Sequence, residues 1–213
     1  MRFPATLLIF LSLLVVAGCT TAGPGLFNGR DLAGWEFIAE PATDIASVCT
    51  VQPGGVIAVT GNPVGYLATT ASYHDYQLLA EWRWSGKPGN GGVLVHISSG
   101  PKDRAWPLCL QIQTKPGSVG DLLPMAGAAF AEPLTQPATP GPALKAHTGP
   151  DSERPVGEWN SCVITCRGDT IEIAINGVRQ NSITRVGPAA GRVGFQLEGS
   201  PYELRNVRLT PPE

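Results

Sequence analysis

Seven side chains that can hydrogen-bond or ionise alternate with apolar residues in four short segments of the chain. They are Glu81, Arg83, His96, Gln111, Gln113, Gln196 and Glu198. Amides, carboxylates and a guanidinium can hydrogen-bond the hydroxyl groups of a sugar, and a histidine can also titrate near neutral pH. Any solvent-facing sheet also presents a polar face. The choice of groups, with few Lys or Thr, nevertheless favours a hydroxyl-binding surface.

The four segments have the two-residue period of β-strands, with apolar side chains on the opposite face. They are Gln77–Trp84, Gly91–Ser98, Leu108–Thr114 and Arg192–Glu198. In the first segment Trp82 and Trp84 alternate with the charged side chains, so both indoles are expected in the core. If the four strands are neighbours in one sheet, their polar sides form one continuous face.

Strand-like runs separated by turn residues continue through the rest of the chain, which contains 26 Gly and 20 Pro. Further candidate strands are Ser47–Gln52, Val56–Thr60, Asn160–Arg167, Thr170–Ile175 and Glu203–Leu209. Asn176-Gly177 supplies a tight hairpin turn. Residues 115–157, rich in Pro, Gly and Ala, are predicted to form a long loop. Because helical periodicity is scarce, we predict an all-β sandwich of two sheets.

The chain opens with the features of an export signal. Arg2 precedes an apolar run, Leu7–Ala17, that is too short to span a membrane. Small residues then stand directly before Cys19, which resembles a bacterial lipobox. Residues 1–18 are therefore predicted to be a cleaved lipoprotein signal peptide, with Cys19 as the lipidated residue. An ordinary signal peptide with an incidental cysteine is the alternative.

The remainder is predicted to be a short tether followed by one domain. Residues 19–25 have the composition of a flexible linker. Residues 26–213 are long enough for one well-filled core, and no internal linker marks a second domain. An acylated Cys19 would hold this domain at a membrane in the bacterial cell envelope, periplasmic or at the outer membrane. Thr20 after the cysteine is compatible with an outer-membrane destination.

Charge and histidine spacing disfavour several classes of partner. The formal net charge is −2 and no run of Lys or Arg occurs, so a nucleic-acid partner is not expected. The chain has no C-x-x-C pair and its three histidines lie far apart, so no metal site is predicted. No cofactor is evident, and a divalent cation has no support in the sequence.

Four cysteines remain in the predicted domain after Cys19 is set aside. Cys162 and Cys166 lie four apart in a predicted strand, about 13 Å from each other, which excludes a bridge between them. Disulfides would therefore have to join them to Cys49 or Cys109. The alternative is that all four are small buried hydrophobic residues.

Several motifs together resemble the bacterial 3-keto-disaccharide hydrolase domain family. They are Leu26–Trp35, Tyr76–Trp84, Asn90–His96, Gly157–Asn160, Gly194–Pro201 and Leu204–Arg208. Each motif is short, but together they span nearly the whole predicted domain. The resemblance implies a concanavalin A-like jelly roll whose curved sheet binds carbohydrate. It also implies cleavage of glycosides that carry a ketone at carbon 3.

The chemistry implied by the resemblance needs a base for the acidified hydrogen on carbon 2 and a donor for the enolate oxygen. The candidate bases are Glu81 and His96, and Arg83 is the candidate oxyanion donor. Glu198 is the other carboxylate on the polar face. These four residues are the predicted catalytic set. For His96, a purely structural role is the alternative.

The amides, one indole and one loop carboxylate are predicted to bind substrate. These residues are Gln111, Gln113, Trp106, Asp121 and Gln196. The sequence departs from the family pattern at Gln111, where a glutamate is expected. A glutamine cannot take a proton, so the alternative function is that of a carbohydrate-binding lipoprotein that does not cleave its ligand. Simple packing is the alternative role for Trp106.

Overall fold

The computed structural model describes residues 25–139 and 141–212, and within them the chain forms two β-sheets. The strands are β1 (Trp35–Ala39), β2 (Cys49–Gln52), β3 (Val56–Val59), β4 (Gly65–Thr69), β5 (Tyr76–Trp84), β6 (Gly92–Asp103), β7 (Trp106–Gln113), β8 (Leu122–Met125), β9 (Asn160–Arg167), β10 (Thr170–Ile175), β11 (Val178–Ile183), β12 (Arg192–Leu197) and β13 (Tyr202–Thr210). One short helix, α1 (Ile45–Val48), precedes β2. The predicted all-β, two-sheet sandwich is confirmed.

The two sheets are antiparallel throughout their named pairings. The six-stranded sheet has the order β1-β4-β12-β6-β7-β8, and the seven-stranded sheet has the order β11-β10-β9-β5-β13-β3-β2. Most neighbours are therefore not consecutive in sequence. Strands from distant parts of the chain must come together before either sheet has a complete apolar face to bury.

The core lies between the sheets because alternate residues of the strands are apolar. In β5 every second residue from Tyr76 to Trp84 is buried. Trp82 and Trp84 are each 3% exposed, so their predicted core positions are confirmed. The six-stranded sheet contributes Val95 and Ile112, among others, to the same cluster. Such residues each stabilise the fold by about 1.5–3 kcal/mol through removal of apolar surface from water.

The four polar segments do not share a sheet. β12, β6 and β7 are adjacent in the six-stranded sheet, but β5 pairs with β9 and β13 in the other sheet. The polar sides of the four segments therefore do not form one continuous face, because Glu81 and Arg83 lie on the other sheet. Alternation shows which residues of one strand share a face, but it contains no information about which sheet the strand joins.

The predicted hairpin turn at Asn176-Gly177 is confirmed. Both residues have positive φ, 51° and 81°, as a tight turn between β10 and β11 requires. The side-chain oxygen of Asn176 also accepts a hydrogen bond from the backbone amide of Ser161, 2.8 Å away. The turn is therefore tied to the neighbouring strand β9 as well as to its own hairpin.

The segment predicted as one long loop contains strand β8 and a closing connection. β8 lies at the edge of the six-stranded sheet, and Leu122 forms an antiparallel bridge with Lys145. Three residues later, the amide of Thr148 donates to the carbonyl oxygen of Gln180 in β11, at the edge of the other sheet. We call residues 141–150 the closing connection, because they join one edge of each sheet along the side of the sandwich.

The four cysteines of the domain are free and buried. Burial raises the pKa of the Cys49, Cys162 and Cys166 thiols to about 12, and it raises the pKa of Cys109 further. Of the two alternatives left open by the sequence, the structure has four small buried residues without disulfides. They are unreactive at neutral pH because the thiolate is the reactive form.

The predicted signal peptide, most of the predicted tether and Cys19 lie outside the described residues. Within the part that the structure describes, no helix has the length and apolar character needed to cross a membrane.

Candidate functional site

A cleft of about 680 Å³ lies on the outer face of the six-stranded sheet, over the strands from β12 to β8. Its polar lining comes from Asn90, Asp103, Arg104, Gln111, Gln113, Lys115, Gln196 and Glu198. Its apolar lining comes from Trp106, Leu123, Pro124, Met125, Ala126, Ala138, Pro142 and Ala143. A cleft of this volume is in the range of small-molecule sites.

Glu198 is held by two amides at the β12 end of the cleft. Nδ2 of Asn90 and Nε2 of Gln196 each donate to Oε2 of Glu198 over 2.6 Å. The contact with the carboxylate fixes both amide orientations, because a turned amide would place an oxygen against a carboxylate oxygen. The three side chains therefore form a preorganised group, which we call the Glu198 cluster.

The amide arrangement leaves two acceptors without donors. Oδ1 of Asn90 and Oε1 of Gln196 are buried and have no hydrogen-bond partner among residues 25–139 and 141–212. An unpaired buried polar atom costs about 1–3 kcal/mol, so these two oxygens need donors that the described residues do not supply. The missing partners here are hydrogen-bond donors.

Gln111 lies at the centre of the cleft floor because the neighbouring strand has no side chain there. A Cβ atom at Gly92 would lie 2.6 Å from Cγ of Gln111, so only glycine leaves room for the glutamine. Nε2 of Gln111 has only long contacts, 3.5 Å to the carbonyl oxygen of Gly91 and 3.4 Å to Oε1 of Gln113. Its amide protons are therefore weakly held and can turn to a ligand.

Gln113 is more firmly fixed than Gln111. Its Oε1 accepts the backbone amides of Thr114, at 3.1 Å, and Lys115, at 3.2 Å. Arg104 and Lys115 are exposed residues at the rim, so positive charge borders the cleft without being buried in it.

The structure brings together five of the predicted site residues and separates the other four from them. Those that line the cleft are Trp106, Gln111, Gln113, Gln196 and Glu198. Those that do not are Glu81, Arg83, His96 and Asp121.

Glu81 and Arg83 lie on the outer face of the seven-stranded sheet, in cross-strand ion pairs. Glu81 contacts Arg205 and Arg83 contacts Glu203, each with a nitrogen–oxygen distance of 2.5 Å. The two guanidinium carbons lie 4.6 and 4.1 Å from the ring centroid of Trp159. Each of these four charges has a partner on the neighbouring strand. Their arrangement is therefore accounted for by stabilisation of the pairing between β5 and β13. The structure thus separates Glu81 and Arg83 from Glu198, with which they were predicted to share a site.

His96 is fully buried, not on the polar face. A register shift after Val95 and a positive φ of 56° turn His96 away from the alternation of β6. Nδ1 lies 2.9 Å from the carbonyl oxygen of Pro188, and the ring packs edge-on against Tyr76 at a centroid distance of 5.9 Å. Burial lowers the pKa of His96, so the neutral ring is favoured. Its surroundings agree with the structural alternative.

We expect buried His96 to make the folded state sensitive to acid. Because burial holds its pKa below the usual 6.5, the unfolded chain takes up a proton that the folded chain does not. The stability that the neutral ring contributes is therefore fully present above about pH 6.5 and is lost as the pH falls from there towards the lower pKa of the folded state. The free energy of unfolding in urea, measured at about pH 7.5 and about pH 5.5, should fall less in His96→Gln than in the native chain.

Exposed His74 provides the matched control for this measurement. Its side chain is 78% exposed, so His74→Gln should leave the pH dependence of unfolding as it is. An equal fall in stability between the two pH values in the native chain and in His96→Gln would show that His96 is not the group responsible.

Asp121 lies beside β7 but supports the closing connection instead of lining the cleft. Its Oδ1 accepts the backbone amide of His147 at 2.8 Å and lies 2.6 Å from Nδ1 of the same residue. Asn181 of β11 donates to the carbonyl oxygen of Gly120, one residue before Asp121. The predicted substrate contact of Asp121 is thus replaced by contacts within the fold.

Sequence reasoning missed Asn90 and the apolar wall formed by Leu123, Pro124 and Met125. Asn90 lies in the Asn-Gly-Gly entry to β6 and forms an isolated bridge with Glu198, so the motif itself was the available signal. The wall belongs to β8, which lay inside the predicted loop. Among the residues that the structure describes, no three of His, Cys, Asp and Glu are grouped in a way that could hold a metal ion.

Solved structures with this architecture come from several groups of carbohydrate-related proteins. A candidate glycosyl hydrolase from Parabacteroides distasonis is 23% identical, with 88% of this chain and 93% of that chain covered and a TM-score of 0.65. Carbohydrate-binding module CBM66 from Bacillus subtilis is 12% identical, with coverages of 84% and 96% and a TM-score of 0.56.

The Bacillus licheniformis β-glucanase is 10% identical, with coverages of 90% and 99% and a TM-score of 0.55. At these identities the likeness concerns the fold, and it agrees with the predicted jelly roll. No curated protein matches the chain. The sequence model of the 3-keto-alpha-glucoside-1,2-lyase-like domain matches residues 25–210, and the chain therefore belongs to that family.

Proposed function

We propose that this protein is an envelope-anchored, carbohydrate-active enzyme that cleaves 3-keto-glycosides by elimination and hydration. The observation that carries the proposal is the Glu198 cluster, in which one carboxylate is fixed by Asn90 and Gln196 at the floor of the cleft. The two unpaired amide oxygens beside it are suited to sugar hydroxyls. Family membership supports the 3-keto sugar as the substrate class.

Glu198 acts as the general base in this proposal. The ketone on carbon 3 acidifies the hydrogen on carbon 2, and the carboxylate takes that proton as the carbon 3 oxygen becomes an enolate. The enolate re-forms the ketone as the carbon 1–oxygen bond breaks, which leaves a carbon 1–carbon 2 double bond. The protonated Glu198 returns its proton to the aglycone oxygen, which departs as an alcohol, and the carboxylate is regenerated. Water then adds across the double bond and releases the 3-keto sugar.

Gln111 is the proposed donor to the enolate oxygen. Its Nε2 is weakly held by its two long contacts and lies on the floor of the same cleft as Glu198. A donor directed at the developing oxyanion contributes about 10²–10³-fold to the rate of reactions of this kind. The amide of Gln111 cannot serve as a base, but it can donate a hydrogen bond to the enolate oxygen. Arg83 was the residue predicted for this role.

The number and positions of the carboxylates in the cleft are also consistent with an elimination mechanism. Ordinary glycoside hydrolysis uses two carboxyl groups that flank the scissile bond, one of them as an acid. The lining contains Glu198 and Asp103, and the side chain of Asp103 is 64% exposed at the rim. One fixed carboxylate is sufficient to start an elimination, because the ketone makes the hydrogen on carbon 2 acidic enough for that carboxylate to remove.

The purified protein should release the aglycone from a 3-keto-glucoside and leave the corresponding unoxidised glucoside intact. The reason is that only the ketone makes the hydrogen on carbon 2 acidic enough for a carboxylate to remove. Release of a chromogenic aglycone, followed against a heat-inactivated sample, measures both reactions. Equal release from the two glucosides, or none above the control from the 3-keto-glucoside, would contradict the proposal.

Carbohydrate binding without cleavage is the second candidate function. It is favoured by Gln111, an uncharged side chain in the centre of the cleft floor, and by the likeness of the fold to a carbohydrate-binding module. In that case the Glu198 cluster recognises hydroxyl groups only. Saturable binding of a 3-keto-glucoside with no release of the aglycone would select this function.

The proposed location is the bacterial cell envelope, with lipidated Cys19 as the anchor. The lipobox-like sequence supports this location, because acyl chains on a cysteine hold an exported domain at a membrane. Metabolic labelling with a fatty-acid analogue should mark the full-length chain and should not mark Cys19→Ser.

A further inference from the structure

The cleft has two sides of different chemistry, and together they indicate what the leaving group is. The β12 side carries the Glu198 cluster, and the β8 side carries Leu123, Pro124 and Met125. We infer that the cleft takes glycosides with an apolar aglycone, in particular one that contains an aromatic ring. This inference rests on the proposed binding of a glycoside at the Glu198 cluster.

The two sides are far enough apart for a sugar ring and an aglycone to lie between them. β12 and β8 are separated by β6 and β7, which places them about 14 Å apart at the usual strand spacing. A cleft of about 680 Å³ accommodates a ligand larger than one pyranose. With the sugar at Glu198, the group on carbon 1 therefore has room to extend over β7 towards β8.

The β8 side can bind an apolar group but offers little to a second sugar. Leu123 is 5% exposed, so its side chain is part of a solid wall, and the partly exposed side chains of Met125 and Trp106 extend this surface. Sulfur and indole surfaces make favourable contacts with aromatic rings. A sugar hydroxyl placed against Leu123 or Met125 would lose its water without gaining a partner.

The charged residues near this side do not change its character. Asp103 and Arg104 have side chains that are 64% and 90% exposed, so both remain in solvent at the rim. The hydrogen-bonding groups of the floor, Gln111 and Gln113, lie between the two sides on β7. The side chains that β8 itself contributes to the cleft are all apolar.

The test compares ligands that differ only in the aglycone. Phenyl glucoside, methyl glucoside and cellobiose, each with and without the 3-keto group, are titrated into the Glu198→Gln variant, which cannot start the proposed elimination. The phenyl glucosides should bind about tenfold or more tightly than the methyl glucosides, equivalent to about 1.4 kcal/mol. In the native protein, kcat/KM for the 3-keto-glucosides should follow the same order.

Substitutions in the apolar wall test whether its residues cause the preference for phenyl over methyl glucosides. Met125→Gln, at a partly exposed position, should reduce the phenyl-to-methyl ratio to about threefold or less, and Leu123→Asn should do the same if it folds. Leu134→Asn makes the matched change at a residue that is 44% exposed and lies outside the cleft, and it should keep the ratio.

The outcomes separate this inference from the proposed function. Equal affinity for phenyl and methyl glucosides, or tighter binding of cellobiose, would overturn the apolar-aglycone inference even if elimination is observed. A phenyl preference that the wall variants reduce, in a protein that releases no aglycone, would support the inference while the proposed elimination fails. A preference unchanged by both wall variants would also overturn it.

Discussion

Glu198→Gln is expected to lower kcat/KM for a 3-keto-glucoside by about 100-fold or more. The substitution keeps the size of the side chain but removes the group that accepts the proton from carbon 2. Folding should be little affected, because the new amide can still accept hydrogen bonds from Asn90 and Gln196 through its oxygen. Initial rates of aglycone release, with the unfolding midpoint measured in parallel, separate lost chemistry from lost structure.

Glu81→Gln is the matched control on the other sheet. Glu81 pairs with Arg205 beside Trp159 and lies outside the cleft, so this variant should retain native turnover. Its loss in stability should stay within about 1 kcal/mol, because the pair is partly exposed. Loss of turnover in Glu81→Gln with native turnover in Glu198→Gln would exchange the roles assigned to these two carboxylates.

Gly61→Ala should destabilise the fold by about 2–4 kcal/mol. Gly61 has a φ of 82°, and a Cβ atom there would lie 2.3 Å from the carbonyl oxygen and 2.5 Å from the carbonyl carbon of Ser200. Both atoms are backbone, so they cannot move aside as the end of a side chain can. The free energy of unfolding in urea measures the effect.

The same substitution should also disturb the site, because the amide of Gly199 donates to the carbonyl oxygen of Gly61 at 2.8 Å, directly after Glu198. Gly34→Ala is the control, since Gly34 has a φ of 84° with no atom within 4 Å of an added Cβ. It should cost only about 1 kcal/mol, from backbone strain alone. Equal losses in the two variants would show that close contact with Ser200 is not the cause.

Most of the strands could be predicted from the sequence because their alternation is local. The run Ile171–Ile175 and its Asn-Gly turn contain all the information that a hairpin needs, and both were found in the structure. β4 could not be found in this way because it is buried on both faces, so all five of its residues are buried and no alternation remains. β8 is only four residues long and contains a proline.

Only part of the candidate site could be predicted from the sequence, because the strand order determines which polar residues come together. Glu198 and Gln111 were found because both alternate with core residues on strands that happen to be near neighbours. Glu81 has the same local pattern, but partner strands far along the chain place it on the opposite side of the sandwich. His96 escapes the alternation through a register shift that no local composition indicated.

The closing connection has a consequence for how these molecules behave when they are crowded together. Exposed edge strands present unpaired amides and carbonyls that can recruit a strand from another chain and begin aggregation. Lys145 occupies part of the edge of β8, and Thr148 occupies part of the edge of β11. One short segment thus blocks intermolecular strand addition at one edge of each sheet.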